Sequence, residues 1–341
     1  MKAVRIHQHG GIDVLKYDDI PTPNIKQNQC LVKIKVAALN HLDIWVRKGI
    51  PGVPLPMIMG SDGAGFVEKV GAKVSEFSIG DRVLIQPLTY CGTCQWCTEN
   101  KENYCEKWGI FGENQDGTQC EYMAINTDHL RIIPEGMSFE EAAAFPLVAE
   151  TAYAMLIDRA NIRRGETVFV WGASSGVGSM AIQIAKALGC KVITAVGNAK
   201  KGDFAEKLGV DKIVNYKDDD IIKITKEFTI KKGVDVVVEH VGTKTWETSL
   251  RILGKGGRIV TCGATTGSEA KFDIRRLFYK QQSILGSTMG NVKSLDRALD
   301  MYRNGAIRPI VDICFKLSEI SKAHEYLENG NQIGKLLVIP N

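Results

Sequence analysis

Four cysteines lie in a short stretch of the first half of the chain, at a spacing that suits a metal ion. The pattern is Cys91-x2-Cys94-x2-Cys97-x7-Cys105, and the glycine, threonine and asparagine residues between them favour a loop. Four thiolates satisfy tetrahedral Zn²⁺ and leave no open coordination position, which is typical of a structural site. An iron–sulfur cluster is the alternative occupant. We expect one structural zinc ion, in a lobe at about residues 88–108.

A glycine-rich turn in the second half of the chain predicts a dinucleotide site. The apolar stretch Val168–Trp171 leads into Gly172-Ala-Ser-Ser-Gly176-Val-Gly178, and apolar residues then recur at helical spacing up to Leu188. A strand, a tight turn and a helix start direct backbone N–H groups and a helix dipole at a pyrophosphate. The loop is one residue longer than Gly-x-Gly-x-x-Gly, and the alternative is a turn that only packs a helix on a strand. The residues that we expect to bind the cofactor are Ser174, Ser175, Gly176, Val177, Gly178, Lys201, Tyr216, Gly242, Gly263, Ala264, Thr265 and Thr288.

The residues after the second strand of this region favour NADPH over NADH. An NAD site usually has an acidic residue there, on the ribose 2′-hydroxyl, but this strand ends Thr194-Ala-Val-Gly-Asn198 and two lysines follow. Lys200 or Lys201, together with Tyr216, can pair with a 2′-phosphate by charge and hydrogen bonding. The alternative is that the lysines form an ordinary solvated surface.

The pattern of apolar residues predicts two kinds of sheet. Up to about residue 145 the chain is strand-rich, with strands predicted at 31–39, 66–70, 82–85 and 121–125, and Ser138-x-x-Glu141 predicts the start of a helix. From Thr167 onward, short apolar runs alternate with helical patterns, which is typical of a doubly wound parallel sheet. The strands predicted there are 167–171, 191–196, 212–214, 234–239 and 258–261, and strand character returns at 312–317 and 336–339.

Length and composition narrow the class of protein. A chain of 341 residues predicts two domains, and 44% hydrophobic with 24% charged residues is ordinary globular composition. No apolar run reaches the roughly 18 residues of a membrane span. The odd count of nine cysteines and the absence of an apolar leader predict a reducing, cytoplasmic setting. The net charge of +4 is spread along the chain, so nucleic-acid binding is not expected.

Together, the cysteine lobe, the strand-rich first half and the GASSGVG turn resemble the medium-chain dehydrogenase/reductase superfamily over nearly the whole chain. The resemblance implies an α/β protein with a GroES-like, mainly β catalytic domain and a Rossmann domain. The domains are then residues 1–148 with 311–341, and residues 149–310. It also implies a homodimer or a homotetramer.

The chain departs from the zinc alcohol dehydrogenases of this superfamily at the catalytic metal. Those enzymes hold zinc through a Cys, a His in Gly-His-Glu, and a second Cys shortly before a hinge-helix Thr. The matching positions here are Asn40, Gly60-Ser61-Asp62, and Leu147, four residues before Thr151. The chain therefore resembles the quinone oxidoreductase-like branch. Without a Lewis acid to stabilise an alkoxide, alcohol oxidation is disfavoured, whereas hydride addition to an activated C=C bond requires only donors for the enolate.

A narrower resemblance points to enoyl-CoA substrates. Residues 108–113, 262–267, 272–275 and 286–288 are similar to the corresponding stretches of crotonyl-CoA carboxylase/reductases. Glu113 matches a Glu of their carbon-dioxide pocket, but Gly112 replaces a Phe and Thr288 replaces a His. The resemblance thus implies NADPH-dependent reduction of acryloyl-CoA or crotonyl-CoA without carboxylation. The alternatives are a quinone or enone reductase, a zinc alcohol dehydrogenase that uses His41 and Asp62 as ligands, and a non-catalytic NADPH-binding protein.

Four residues are candidates for the chemistry. Asn40 either donates its amide N–H to a substrate carbonyl or caps the following helix. His41 is a possible proton relay or simply a packed histidine. Glu113 either orients substrate and shuttles a proton or is a surface carboxylate. Thr151 matches a Thr near the nicotinamide in relatives, or is an ordinary hinge-helix residue. Three basic residues either face CoA phosphates or form surface ion pairs: Arg275, Arg276 and Lys280.

Overall fold

The chain folds into two units in a computed structural model that describes residues 1–340. One unit, here the β-rich unit, comprises Met1–Leu147 and the C-terminal residues from Pro309; the other, here the parallel-sheet unit, is Val148–Arg308. The strands are β1 (Lys2–Ile6), β2 (Leu15–Asp19), β3 (Gln29–Ala38), β4 (Met57–Ile58), β5 (Asp62–Val70), β6 (Arg82–Ile85), β7 (Leu88–Thr89), β8 (Gly109–Ile110), β9 (Tyr122–Asn126), β10 (Leu130–Ile132), β11 (Thr167–Trp171), β12 (Lys191–Val196), β13 (Lys212–Asn215), β14 (Val234–Glu239), β15 (Leu253–Thr261), β16 (Ser283–Gly286), β17 (Val311–Lys316) and β18 (Lys335–Ile339).

The two longest helices, α5 and α10, are both in the parallel-sheet unit. They are α1 (His41–Lys48), α2 (Gln95–Thr98), α3 (Phe139–Ala144), α4 (Pro146–Tyr153), α5 (Gly176–Ala187), α6 (Ala199–Lys207), α7 (Ile221–Phe228), α8 (Thr243–Ile252), α9 (Ile274–Tyr279), α10 (Val292–Arg303) and α11 (Ile320–Glu328). A π-helical segment, Ala154–Arg159, continues α4. No helix within residues 1–340 is both long and apolar enough to cross a membrane.

The β-rich unit is built on one long mixed sheet. Its strand order is β10-β6-β5-β3-β18-β17, and β9 also pairs with β3. Most residues of β3 are buried, as expected for a central strand, and only Lys33 and Lys35 are exposed. β18, from the far end of the chain, pairs antiparallel with β3 at Ala37 and Ala38. The sheet therefore brings the C-terminal strand beside the residues that precede α1.

The parallel-sheet unit has strand order β13-β12-β11-β14-β15-β16, with every neighbouring pair parallel. From β11 the chain builds outward through β12 and β13, and then returns to build β14, β15 and β16 on the other side. Such a reversal leaves a crevice outside the carboxyl ends of the two central strands, here β11 and β14, where ligands bind in doubly wound sheets. The predicted doubly wound fold is confirmed, and apolar side chains such as Phe169, Ile193 and Val237 fill its core.

Predicted element bounds differ from the structure mainly where glycines occur. The strands predicted at 82–85, 167–171, 191–196 and 234–239 have the observed bounds, whereas β15 begins at Leu253, five residues before the predicted start. Gly254, Gly256 and Gly257 conceal this strand from a pattern of apolar residues, and the register between β14 and β15 is irregular there. The cysteine stretch, expected to be a loop, contains the short helix α2 and a 3₁₀ turn at Glu102–Tyr104.

Candidate functional site

The four predicted cysteines converge in the β-rich unit. Their sulfur atoms all lie within 4.8 Å of one another, with Cys91 Sγ 3.9 Å and Cys94 Sγ 3.5 Å from Cys97 Sγ. A tetrahedral site with Zn–S bonds of roughly 2.3 Å requires sulfur separations of about 3.8 Å. All four thiols are free of disulfide bonds. The donor set and its spacing therefore fit one zinc ion, and among the described residues this is the one cluster of three or more such ligands.

Backbone N–H groups close to Cys91 Sγ favour the ionised form of that thiol. The backbone N–H groups of Thr93 and Cys94 point at Cys91 Sγ, at 3.5 and 3.4 Å, and lower the pKa of Cys91 to about 5. Burial, followed by the hydrogen bond from the Cys94 thiol, raises the pKa of Cys97 to about 12. A bound divalent cation would remove that difference, since coordinating thiols lose their protons.

The glycine turn after β11 has the backbone arrangement of a pyrophosphate site. Ser175 is the N-cap of α5, and its hydroxyl accepts the Gly178 N–H at 2.9 Å. A Cβ at Gly178 would collide with the Gly172 carbonyl and lie 2.8 Å from Ser175 Oγ, so only glycine fits there. Gly172 itself has φ +64°. The predicted residues from Ser174 to Gly178 therefore lie together at a helix N-terminus, where backbone N–H groups attract anions.

Two further loops with predicted cofactor residues lie at the same edge of the sheet. The loop after β14 contains Gly242 at φ +93°, where a Cβ would be 3.0 Å from Ala264 Cα. The loop after β15 contains Gly263, Ala264 and Thr265, and the Thr265 hydroxyl donates to the His240 carbonyl at 3.0 Å. Because the strands are parallel, both loops are at their carboxyl ends. Thr288, two residues after β16, is exposed at this end of the next strand.

Three lysines and a tyrosine lie around the end of β12. Lys201 is partly buried in the first turn of α6, and burial, then the charges of Lys200 and Lys217, lowers its pKa. The Tyr216 side chain is half exposed and its ring lies so close to Gly197 that no side chain would fit at that glycine. The cluster of like charges without an acidic neighbour on the same strand end suits an anionic group.

The positions that match catalytic-zinc ligands in the resembled enzymes are brought together within the β-rich unit. Asn40 Nδ2 donates to Asp62 Oδ2 at 2.9 Å, and the Leu147 N–H donates to Asp62 Oδ1 at 2.9 Å. Lys335, the first residue of β18, donates from Nζ to the same Asp62 Oδ2 at 2.9 Å and also to Asn40 Oδ1. Asn40, Asp62 and Lys335, here the buried triad, are all less than one-tenth exposed.

Next to the triad is a second buried carboxylate, Asp43. Its Oδ2 accepts the Asn40 N–H at 2.8 Å, while Oδ1 has no protein partner. Burial is the main reason that the pKa of Asp43 is raised to about 7, and the Asp62 charge adds to the effect. The Ser61 hydroxyl, at the position of the zinc-binding His in the resembled enzymes, is also buried without a partner.

The other three predicted catalytic residues, His41, Glu113 and Thr151, are each partly or fully buried. His41 is the first residue of α1, and burial lowers its pKa. Glu113 is partly buried, which raises the pKa of its carboxyl group. The preceding Gly112 lies on the Gly60 backbone, with room for no Cβ: the nearest atom would be 2.5 Å away. Thr151 is buried in the parallel-sheet unit, and its hydroxyl has no protein partner.

Two of the three basic residues proposed to face CoA phosphates, Arg275 and Arg276, have local partners instead. Arg276 donates to the Leu250 and Arg251 carbonyls at the end of α8, at 2.9–3.2 Å, so it caps that helix. The exposed Arg275 pairs with Asp273. The structure thus favours the surface ion-pair interpretation for Arg275 and a capping role for Arg276.

One buried charged residue in each unit was not predicted from the sequence. Lys335 begins an apolar strand some 270 residues from its partners, and Glu239 ends another, fully buried. Each could have been noticed as a charged residue at the end of an otherwise apolar strand. A charge buried in such a strand almost always has a partner, so the position itself indicates an interaction. Nothing in the sequence alone gives the partner, since Lys335 and Asp62 are 273 residues apart.

Comparisons with known proteins agree with these units. A model of the alcohol dehydrogenase GroES-like domain matches residues 26–135, and one of the zinc-binding dehydrogenase domain matches residues 176–304. Acryloyl-coenzyme A reductase of Metallosphaera sedula is 33% identical over 99% of this chain and 99% of its own length. Crotonyl-CoA carboxylase/reductase of Cereibacter sphaeroides is 30% identical over 99% of this chain and 86% of its own. A solved NAD-dependent alcohol dehydrogenase structure is 40% identical, with a TM-score of 0.96 and 99% of both chains covered.

The chain is therefore a two-domain oxidoreductase with a GroES-like and a Rossmann domain. It belongs to the medium-chain dehydrogenase/reductase superfamily, as its residues predict.

Proposed function

We propose that the protein uses NADPH to reduce the C=C bond of a short-chain enoyl-CoA of the acryloyl-CoA or crotonyl-CoA type. Hydride from the cofactor would add to the β-carbon, and the resulting enolate would take a proton at the α-carbon. The similarity to an acryloyl-coenzyme A reductase along the full length of both chains supports this choice. One structural zinc, held by the four cysteines, completes the proposed cofactors.

The observation that carries the proposal is the ammonium group in the buried triad. Lys335 Nζ is within hydrogen-bond distance of Asn40, which is at one vacated ligand position, and of Asp62, which directly follows Ser61 at another. The Asp62 oxygens already accept three hydrogen bonds, and a lysine at this place repels a second cation. These side chains do not fit a catalytic zinc ion, so the reaction should be one that needs no metal to stabilise an alkoxide.

In this proposal Asn40 stabilises the enolate. Its Oδ1 accepts from Lys335 and one Nδ2 hydrogen is donated to Asp62, so the carboxamide orientation is fixed and the second Nδ2 hydrogen is left for a thioester oxygen. A preorganised donor of this kind stabilises the negative charge that develops during hydride addition. Asn40 is also the N-cap residue of α1, and its backbone carbonyl accepts the Asp43 N–H at 3.0 Å.

Proton delivery in this proposal uses Glu113. Because burial raises the pKa of Glu113, its carboxyl group holds a proton closer to neutral pH than an exposed glutamate does. It follows Gly112, which lies on the Gly60 backbone. Solvent would replace the proton, with His41 as a possible relay. Thr151 would lie beside the nicotinamide, as its match in relatives implies.

The backbone conformation at Gly112 and the lack of space for a side chain there argue against carboxylation. The φ of +79° and the Gly60 carbonyl oxygen 2.5 Å from a hypothetical Cβ leave no room for the phenylalanine of carboxylating relatives. The second pocket residue, a His, is replaced by Thr288. Protonation of the enolate is therefore preferred to attack on carbon dioxide.

NADPH is the proposed cofactor because of Lys201 and Tyr216. A 2′-phosphate at the end of β12 would have the Lys201 ammonium and the Tyr216 hydroxyl as partners, and the residues that end β12 include no carboxylate on the ribose. The 40% identical structure is of an NAD-dependent enzyme, so the two cofactors must be compared directly. We expect kcat/KM with NADPH to exceed that with NADH by about tenfold or more, and Lys201→Ala to remove most of that preference. Equal values in the wild-type protein would contradict the assignment.

The acceptor is tested by following NADPH oxidation with acryloyl-CoA, crotonyl-CoA, a benzoquinone and a simple enone in parallel. We expect kcat/KM for the CoA esters to exceed that for the benzoquinone and the enone by at least ~100-fold, which corresponds to about 2.7 kcal/mol of transition-state binding. A similar margin for the quinone would make the protein a quinone reductase. Turnover of a primary alcohol with NADP⁺ together with about two zinc ions per chain would revive the alcohol dehydrogenase alternative. NADPH binding without turnover of any acceptor would indicate a binding protein.

A further inference from the structure

Glu239, the last residue of β14, is a fully buried carboxylate surrounded by hydrogen-bond donors. Its Oε1 accepts the N–H groups of Val241 and Gly242 at 2.7 and 3.1 Å. Its Oε2 accepts the Ser249 hydroxyl at 2.6 Å, and the Thr245 hydroxyl lies 2.9–3.0 Å from both oxygens. No lysine or arginine among residues 1–340 forms an ion pair with it. The charge is therefore compensated by dipoles alone, which requires that these donors stay in place.

The direction of the Ser249 hydrogen bond follows from its other partner. The Trp171 indole Nε1 lies 2.8 Å from Ser249 Oγ, and an indole N–H can only donate. Ser249 therefore accepts from Trp171 and gives its single hydrogen to Glu239. Through this serine the carboxylate is connected to the last residue of β11, directly before the glycine turn.

The turn after Glu239, residues 240–242, is held on its other side as well. The His240 ring bonds to the Trp171 carbonyl at 2.8 Å, and the His240 carbonyl accepts from Thr265. The Val241 carbonyl accepts from both the N–H and the hydroxyl of Thr266, at 2.7 and 2.8 Å. The hydrogen-bonding groups of the turn are thus largely used within the protein. Such a turn offers a ligand a rigid surface rather than additional donors.

The turn at residues 240–242 lies where the nicotinamide half of a bound dinucleotide is expected. It lies at the carboxyl end of β14, across the topological switch point from the glycine turn after β11. In doubly wound sheets the pyrophosphate lies at the glycine turn and the adenosine half at the second strand of the first mononucleotide unit, here β12. The other half of the dinucleotide, which carries the nicotinamide, then extends over the loops after β14 and β15.

We propose that Glu239 is a positioning residue for the nicotinamide half of the cofactor. Its carboxylate fixes the turn at residues 240–242 against the glycine turn and the β15 loop, so that the surface on which the nicotinamide nucleotide lies is formed before binding. A preformed surface avoids the cost of ordering loops in the complex. The proposal depends on dinucleotide binding at the glycine turn and not on which acceptor is reduced.

The test is Glu239→Gln, which keeps the shape of the side chain but puts an NH₂ group where an oxygen accepted. Whichever way the amide turns, a donor then faces either the turn N–H groups or the Ser249 hydroxyl. Binding of NADPH and of its adenosine fragment, 2′,5′-ADP, is measured by calorimetry. We expect the dissociation constant for NADPH to rise by about tenfold or more and that for 2′,5′-ADP to change less than about twofold. Should NADH prove the cofactor, NADH and 5′-AMP replace this pair.

Glu166→Gln is the matched control. Glu166 is a partly buried glutamate of the same unit that pairs with Arg258 at 2.8 Å, but it precedes β11 at the opposite edge of the sheet. We expect that variant to bind both ligands as the wild type does. Ser249→Ala and Thr245→Val remove one donor each, and should show the same selective loss at smaller size even if Glu239→Gln fails to fold.

Two results would overturn the proposal. Equal weakening of NADPH and fragment binding would mean that the carboxylate only stabilises the fold. Unchanged NADPH binding in folded Glu239→Gln, or in both donor variants, would mean that the turn does not contribute to the cofactor site.

Discussion

Replacement of Lys335 by methionine measures how strongly charge holds the buried triad together. The side chains of Lys335 and Asp62 are 4% and 0% exposed, with Nζ 2.9 Å from Oδ2. At that separation two unit charges attract by about 6 kcal/mol at an effective dielectric constant of ~20. Methionine keeps most of the length of lysine but leaves the Asp62 carboxylate buried without a cation. We expect the free energy of unfolding to fall by about 3–5 kcal/mol, the usual cost of removing one partner of a buried pair.

Urea unfolding followed by far-UV circular dichroism measures this loss, and Asp62→Asn on both backgrounds completes a double-mutant cycle. Because removing Asp62 also removes the charge that Lys335 compensates, the double variant should be more stable than the sum of the single changes predicts, by about 2–3 kcal/mol. An additive result would mean that the pair does not interact energetically.

The matched control is Lys322→Met in the same unit. Lys322 Nζ is 2.8 Å from Glu319 Oε1, as close as the buried pair, but the side chains are 70% and 37% exposed. Water screens that pair, so we expect no measurable loss of stability. Equal losses in Lys322→Met and Lys335→Met would refute the reasoning, because burial would then have no effect on the strength of the pair.

Three further predictions concern the other sites. Cys94→Ser should reduce the zinc content from about one ion per chain, measured by atomic emission, because one of four thiolates is lost; an unchanged content would exclude this cluster as the site. Gly178→Ala should weaken dinucleotide binding by about tenfold or more, measured by calorimetry, because the added Cβ collides with the Gly172 carbonyl; wild-type affinity would show that the turn is not the pyrophosphate site. Asp43→Asn should flatten the pH dependence of stability. The pKa of Asp43 is raised to about 7, so the folded protein binds this proton more tightly than the unfolded chain does. The free energy of unfolding of the wild type should therefore decrease by up to about 4 kcal/mol as the pH rises from about 4 to 7. Thermal melts across that range that are identical in variant and wild type would contradict the shift.

The parts of the molecule that could be predicted from the sequence are those encoded by neighbouring residues. The cysteine cluster spans 15 residues, and the glycine turn joins a strand to a helix directly, so spacing alone places their side chains. The Ser138 capping box also follows from local chemistry, and the structure has the Glu141 N–H on Ser138 Oγ at 3.1 Å. In each case the partners are a few residues apart, and the backbone geometry leaves little freedom.

The parts that could not be predicted depend on contacts between distant strands. The resemblance indicated which positions had lost zinc ligands, but the lysine that pairs with Asp62 comes from β18. Likewise, Asn40 was predicted either to bind substrate or to cap α1, and the structure gives its carboxamide two partners that neither alternative included. The sheet order of the β-rich unit brings these groups together, and no local pattern contains that order.

The origin of Lys335 on the C-terminal strand has a consequence for how the protein is made. A ribosome completes the parallel-sheet unit, which is continuous in sequence, before it synthesises β17 and β18. Until then the strand β3 lacks its neighbour β18, and Asp62 has no cation to accompany it into the core. The β-rich unit therefore cannot complete this sheet until β18 has been synthesised. Nascent chains arrested before Lys335 should be the ones that depend most on chaperones.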